Sequence, residues 1–254
     1  MRYLLIAALV ALPIIGQAAE STNPDAVRDA VDNTLRPAQD RERDANRKPE
    51  TVLRFFDIRP GMTVLDLFSG GGYYTEILSR LVGPEGKVIA HNNAAYLVYA
   101  KDQIEPRYVN NRLANVELLE KEANALRLPE NSLDAALLVL SYHDFYYKPG
   151  DGSWPEIDAQ RLLREVYTAL KPGAIVGVVD HAANAGSPVT TGNSLHRIDP
   201  ALVRKGMEAA GFVFSGESSA LVNPDDDRNR PMYAEELRGK TDRFIHRYRK
   251  PAGH

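Results

Sequence analysis

The stretch Val64-Leu65-Asp66-Leu67-Phe68-Ser69-Gly70-Gly71-Gly72-Tyr73-Tyr74-Thr75 constrains this chain more than any other. A short apolar run, strand-like in length, leads into three consecutive glycines and then into apolar residues at helical spacing. A chain that leaves a strand, bends through glycine and enters a helix gathers backbone N–H groups and a helix N-terminus just beyond the strand. That geometry suits a nucleotide-like ligand. Glycine is needed because a Cβ would obstruct the ligand or forbid the bend. The competing reading is an ordinary tight turn between strand and helix.

Alternation of strand and helix continues to the end of the chain. Strands are expected at Met62 to Phe68, Lys87 to His91, Val116 to Glu120, Leu133 to Leu140, Ala174 to Asp180, from Phe212 onward, and at Thr241 to Arg249. Helices are expected at Tyr74 to Val82, from Ala94 to Gln103 with a resumption after Pro106, at Glu156 to Leu170 and at Pro200 to Ala210. This order predicts a parallel sheet with helices on both faces. The unbroken apolar run Ala135 to Leu140 fits a strand buried on both sides. Ligands of such sheets sit beyond the carboxyl ends of the strands, which is where chemistry is expected. The charged segment Arg36 to Arg47 reads as a solvated helix with close opposite charges. The less favoured reading is a cap over a ligand site, with Arg36, Asp44 or Arg47 pointing inward.

Four blocks, in order over about residues 50 to 250, resemble the class I S-adenosylmethionine-dependent methyltransferases. They are Val64 to Gly72, Gly86 to Asn92, Asn124 to Ala135, and Arg164 to Ala174 with its Lys-Pro-Gly turn. In detail the chain resembles the exported "predicted methyltransferase" group of proteobacteria. The resemblance implies a Rossmann-like α/β sheet in the order 3-2-1-4-5-7-6 with the last strand antiparallel. It implies S-adenosylmethionine as cofactor, bound by Asp66, Phe68, Ser69, Gly70 and Gly72 of the first motif, by Asn92 after the second strand, and by Asn124 and Ala125 in the adenine loop. The chain departs from the family at three of these. Asn92 stands where an acidic residue usually accepts from both ribose hydroxyls, Asn124 where an aspartate faces the adenine amino group, and Phe68 where the motif has its first glycine.

Met1-Arg2-Tyr3, the apolar run Leu4 to Ile15 and the small residues Gly16 and Ala18 form a secretory signal pattern. The domain plan is therefore a signal peptide over 1–18, an N-terminal helical extension over 19–60 and a methyltransferase-like domain over 61–250. A periplasmic location with no stable membrane anchor after cleavage follows. The chain contains no cysteine, which excludes disulfides and thiolate metal sites. A formal net charge of −3 supplies no basic field, so no nucleic-acid partner is expected. Oligomeric state is open.

Histidines next to or near carboxylates fall in loops expected at the carboxyl edge: His143-Asp144, Asp180-His181 and His196 near Asp199. An imidazole beside a carboxylate serves as a general base, its tautomer set by its second partner. His143, Asp144, Asp180 and His181 are accordingly the candidate catalytic residues. His143, His181 and His196 with Asp144 or Asp180 could also form a metal site, but no close ligand-pair spacing supports it, and none is expected. Tyr73, Tyr74, Tyr142, Tyr146, Tyr147 and Trp154 could wall an aromatic pocket or pack in the core. Asp225-Asp226-Asp227 reads as a solvated turn after Pro224. Tyr167 and Lys171 match a Tyr-x-x-x-Lys reductase pattern, but Lys171 is expected at the wrong end of the sheet.

Two function classes follow: an exported enzyme methylating a small-molecule acceptor, or an exported binding protein of methyltransferase fold that has lost or changed its cofactor. A nicotinamide oxidoreductase ranks below both, because Gly70-Gly71-Gly72 lacks the dinucleotide spacing.

Overall fold

The computed structural model describes residues 25–253. The expected signal peptide at 1–18 and the first residues of the extension lie outside the described residues. Among the described residues no helix is long and apolar enough to cross a membrane.

Seven strands form one sheet: β1 (Thr63–Leu67), β2 (Lys87–Asn92), β3 (Val116–Glu120), β4 (Leu133–Val139), β5 (Leu170–His181), β6 (Val213–Ser218) and β7 (Arg243–Arg249). Their order is β3-β2-β1-β4-β5-β7-β6. The first five run parallel, and β7 is antiparallel to both β5 and β6. Strand order and the antiparallel last strand agree with the resemblance.

The apolar strands divide their side chains between two cores, as a period of two requires. Val64, Ala135, Leu137, Ile175 and Val179 face α1 (Ala26–Val31), α3 (Pro49–Phe55) and α4 (Tyr73–Val82). Leu65, Leu67, Ala136, Leu138, Val176 and Val178 face α6 (Ala159–Ala169) and α8 (Pro200–Ala209). Gly177 is a packing glycine: a Cβ there would stand 2.4 Å from the ring of Phe56. Lys171 lies at the amino end of the sheet, where it pairs with Asp134 at 2.6 Å, so the reductase pattern has no functional setting.

Two helices depart from plain sheet packing. α2 (Ala38–Arg47) was expected to be solvated but is tied inward. Asp40 is buried and accepts from Arg107 at 2.7 Å, while Arg36, also buried, makes a two-pronged pair with Asp44 at 2.7 and 2.8 Å. Arg36, Asp44 and Asp40 thus point inward, while Ala38, Gln39, Arg41, Glu42, Ala45 and Asn46 of the same segment stay exposed. The inward charges find partners in tertiary contact, which helical spacing does not reveal. α5 (Ala94–Tyr108) buries only Ala100 and Arg107 and carries exposed Val98 and Tyr99. It follows the glycine bend rather than lying flat on the sheet.

His91 of β2 fixes the bend from below. Its Nε2–H donates to the Lys121 carbonyl at 2.8 Å, and its Nδ1 faces the Phe68 N–H at 3.4 Å. Burial pushes this imidazole down to about 4, the Lys121 bond opposing it only partly. The folded state therefore binds fewer protons than the unfolded chain between pH 6.5 and 4, and stability falls as pH falls through that window. His91 alone is expected to remove about 2 kcal/mol between pH 7 and pH 5. Urea unfolding of the wild type and of His91→Phe at both pH values checks this. The variant's pH dependence should be smaller by that amount, and equal dependences would refute the assignment.

Candidate active site

Phe68 and Gly70 take left-handed backbone conformations with φ of 55° and 56°, and Gly72 follows at 80°. The Gly72 N–H returns to the Ser69 carbonyl at 3.0 Å, and the Ser69 N–H to the His91 carbonyl at 2.8 Å. Phe68 therefore occupies a glycine-like conformation despite its ring, which is buried against His91, Tyr96 and Phe145. Asp66 points beneath α4, where it accepts from the Thr75 hydroxyl at 2.6 Å. Burial raises its carboxyl to about 6, the Thr75 bonds opposing the shift.

The expected donor contacts are engaged within the chain. Asn92 accepts from the Gly70 N–H at 2.9 Å and donates to the Gly70 carbonyl at 3.0 Å. Asn124 donates to the Glu156 carbonyl and accepts from the Asp158 N–H, both at 2.9 Å, while Ala125 follows in the same short turn. Where the missing Cβ of each glycine would stand, α5 supplies atoms: Tyr96 at Gly70, Gln103 at Gly71, Arg107 and Tyr108 at Gly72. The nearest approaches are 3.9, 2.4 and 2.6 Å in turn. Two surface hollows, of about 240 and 410 Å³, lie beside α2 and at the amino ends of β2 and β3, away from the bend. α5 and Asn92 therefore cover the bend on the side that Gly70, Gly71 and Gly72 face. Ser69 keeps a buried hydroxyl with no partner at this point.

The second half of the site lies beyond β4 and β5. Asp180 is fully buried and receives three donors: the His143 N–H at 2.8 Å, the His143 Nδ1–H at 2.7 Å and the His181 N–H at 2.7 Å. This fixes the His143 ring with Nε2 turned toward Asp144 Oδ1, 3.3 Å away. Asp144 Oδ1 also lies 3.5 Å from His196 Nδ1, and Asp144 Oδ2 accepts from the Tyr96 hydroxyl at 2.6 Å. Burial alone would lower the His143 pKa, but the Asp144 and Asp180 carboxylates outweigh it and hold the imidazole up at about 9. Asp144 is held below the usual carboxylate range, because His143, His196 and Tyr96 together outweigh its burial. His181 pairs through Nδ1 with the Thr241 hydroxyl at 2.6 Å. Its own pKa falls well below normal through burial and then through the charges of His143, Arg243 and Arg197.

All four candidate catalytic residues thus meet at one sheet edge, with ring separations of 5.8 Å for His143–His181 and 5.4 Å for His143–His196. Sequence reasoning underrated His196 and missed Tyr96, whose only signal was its place just after β2. Of the candidate aromatics, Tyr147 and Trp154 stand at this edge beside Tyr96 and His196. Tyr142 is core, while Tyr73 lies under Arg36, Arg43 and Arg47 on the side of α2. Asp226, read as part of a solvated turn, is buried against Arg197 at 2.8 Å. Arg197 reaches it from the loop that carries His196, a pairing no local pattern signals.

Residues 65–178 match the methyltransferase domain family. The ubiquinone/menaquinone biosynthesis C-methyltransferase UbiE of Hahella chejuensis is 32% identical over 124 residues, 48% of this chain and 44% of the relative. UbiE of Escherichia coli is 28% identical over 180 residues, 69% of this chain and 65% of the relative. The chain thus spans less than two thirds of the length of these relatives. Among solved structures, a SAM-dependent methyltransferase from Aquifex aeolicus superposes with a TM-score of 0.59 at 23% identity, over 90% of this chain and 98% of that one. The [4+2]-cyclase SpnF superposes with a TM-score of 0.56 at 20% identity, over 82% of each chain. The fold is that of the class I methyltransferases.

Proposed function

We propose that this chain, which carries the class I methyltransferase fold, is an S-adenosylmethionine-dependent methyltransferase that acts on a small-molecule acceptor. The observation that carries the reading is the domain-family match over residues 65–178, which takes in both the glycine bend and the Asn124–Ala125 loop. The bend lies between β1 and α4, beside the point where strand order reverses, which is where such sheets bind ligands. Donor binding calls for α5 to lift from the bend and for Asn92 to turn from Gly70, freeing Ser69, Gly70, Gly72 and Asn92 as contacts. The acceptor side is the edge built by His143, Asp144, Asp180 and His181. There Asp180 orients His143, and Asp144 stands between two imidazoles and the Tyr96 hydroxyl. Tyr96, Tyr147 and Trp154 suit a planar acceptor.

The finer proposal is that residues 1–18 export the protein to the periplasm, as in the exported proteobacterial group it resembles. The second reading, a binding protein of this fold without the donor, draws on one observation: α5 and Asn92 cover the bend. Equilibrium titration with S-adenosylhomocysteine separates the two. Saturable binding is expected, and none up to millimolar ligand would leave the second reading standing.

A further inference from the structure

We propose that His143, Asp144 and His196 form a binding site for a divalent first-row transition metal ion of the zinc class, at the acceptor edge of the sheet. One ligand atom from each of the three lies within 4.8 Å of the others. His143 Nε2 to Asp144 Oδ1 is 3.3 Å, and Asp144 Oδ1 to His196 Nδ1 is 3.5 Å. Ligands bound tetrahedrally at about 2.0–2.1 Å stand roughly 3.3–3.4 Å apart, so both separations match a coordination edge. Two imidazoles and one carboxylate favour zinc or a neighbouring transition ion over magnesium or calcium, which take oxygen ligands.

The surroundings of the three residues are those of a metal site. The second ring nitrogen of His143 is tied to buried Asp180, the carboxylate–histidine arrangement that fixes the tautomer and aims Nε2. The second oxygen of Asp144 is tied to Tyr96. His196 ends α7 (Thr191–Leu195) in a left-handed conformation, φ 50°, and its ring packs on Tyr147 and Tyr233. The next residue, Arg197, is anchored by Asp226 and by the Ala182 and Arg230 carbonyls. The His196 side chain keeps 19% of its surface exposed while that of His143 keeps 1%, so the cluster is reached from one side. Three protein ligands leave at least one position for water or substrate.

The proposal does not depend on donor binding, and its test reads the metal directly. The full protein, stripped with a chelator and dialysed, is titrated with Zn(II) by calorimetry and with Co(II) by visible absorption. One ion per chain is expected, with Co(II) bands of a nitrogen- and oxygen-ligated, low-coordinate ion. His196→Ala and Asp144→Asn are each expected to weaken binding at least a hundredfold. Asp180→Asn, which touches no ligand position but weakens the bond that orients His143, is expected to weaken it about 10- to 100-fold. Circular dichroism establishes that each variant is folded, and the wild-type titration stands whether or not a variant folds. Absence of Zn(II) and Co(II) binding to the wild type at 100-fold excess overturns the proposal. So does stoichiometric binding that survives unchanged in folded His196→Ala and Asp144→Asn.

Discussion

Arg107→Ala is expected to lower folding stability by about 3–5 kcal/mol, the range for breaking a buried ion pair from one side. Arg107 is 3% exposed and serves three elements at once. Nη1 donates to Glu76 of α4 at 2.6 Å, Nη2 to Asp40 of α2 at 2.7 Å, and Nε to the Gly71 carbonyl in the bend. Glu76 is fully buried and also receives Arg112 and Arg80, so it keeps partners when Arg107 is lost. Among the described residues the Asp40 carboxylate then keeps a longer contact with Arg43, at 3.4 Å. The cost is thus concentrated at Asp40 and Gly71, which lie on either side of α5. Arg107→Lys keeps the charge but not the fork, and should recover part of the loss. Urea unfolding at pH 7.5 measures both variants. A loss under 1 kcal/mol for alanine would mean that water reaches the network and that α5 is not anchored there.

Asp226→Ala is the second large effect, again about 3–5 kcal/mol. Arg197 is fully buried and places two nitrogens on Asp226 at 2.8 and 3.1 Å. Asp226 also accepts from the Asp242 N–H at 2.6 Å and the Arg228 N–H at 3.0 Å, which joins the loop before β7 to the loop carrying His196. Removing the carboxylate strands a guanidinium in the interior and leaves those two amides without their acceptor. The double variant Arg197→Met with Asp226→Leu should be more stable than Asp226→Ala, because an apolar pair leaves no buried charge unpaired. Thermal and urea unfolding of the two proteins check this ordering. A double variant less stable than the single would mean that the pair contributes more than its desolvation cost.

The sheet was legible in the sequence because its central strands β4 and β5 hold long apolar runs and its turns carry Gly, Pro or Asn. Ala135 to Leu138 alternates between two cores, so the run had to be buried on both faces. The candidate catalytic histidines were also legible, since each follows a strand whose carboxyl end faces the site. Long-range charge pairing was not legible. Arg36 to Arg47 has the local spacing of a solvated helix, yet Asp40 finds Arg107 far along the chain. Asp226 lies in a run of three aspartates, and nothing local distinguishes the one that Arg197 selects. The placement of α5 was hidden for a related reason. Its face toward the bend mixes Tyr96 and Tyr108 with Gln103 and Arg107, so no apolar stripe marks which side is covered.

The central claim is that the glycine bend receives an adenosyl donor once α5 lifts. Calorimetric titration of folded wild-type protein and of folded Gly70→Ala with S-adenosylhomocysteine tests it most directly. Gly70 is chosen because its φ of 56° is unfavourable for any residue with a Cβ, and because Asn92 closes on its peptide. The account predicts one molecule bound per wild-type chain and binding at least tenfold weaker in the variant. No binding to the wild type, or equal binding to both proteins, would contradict it.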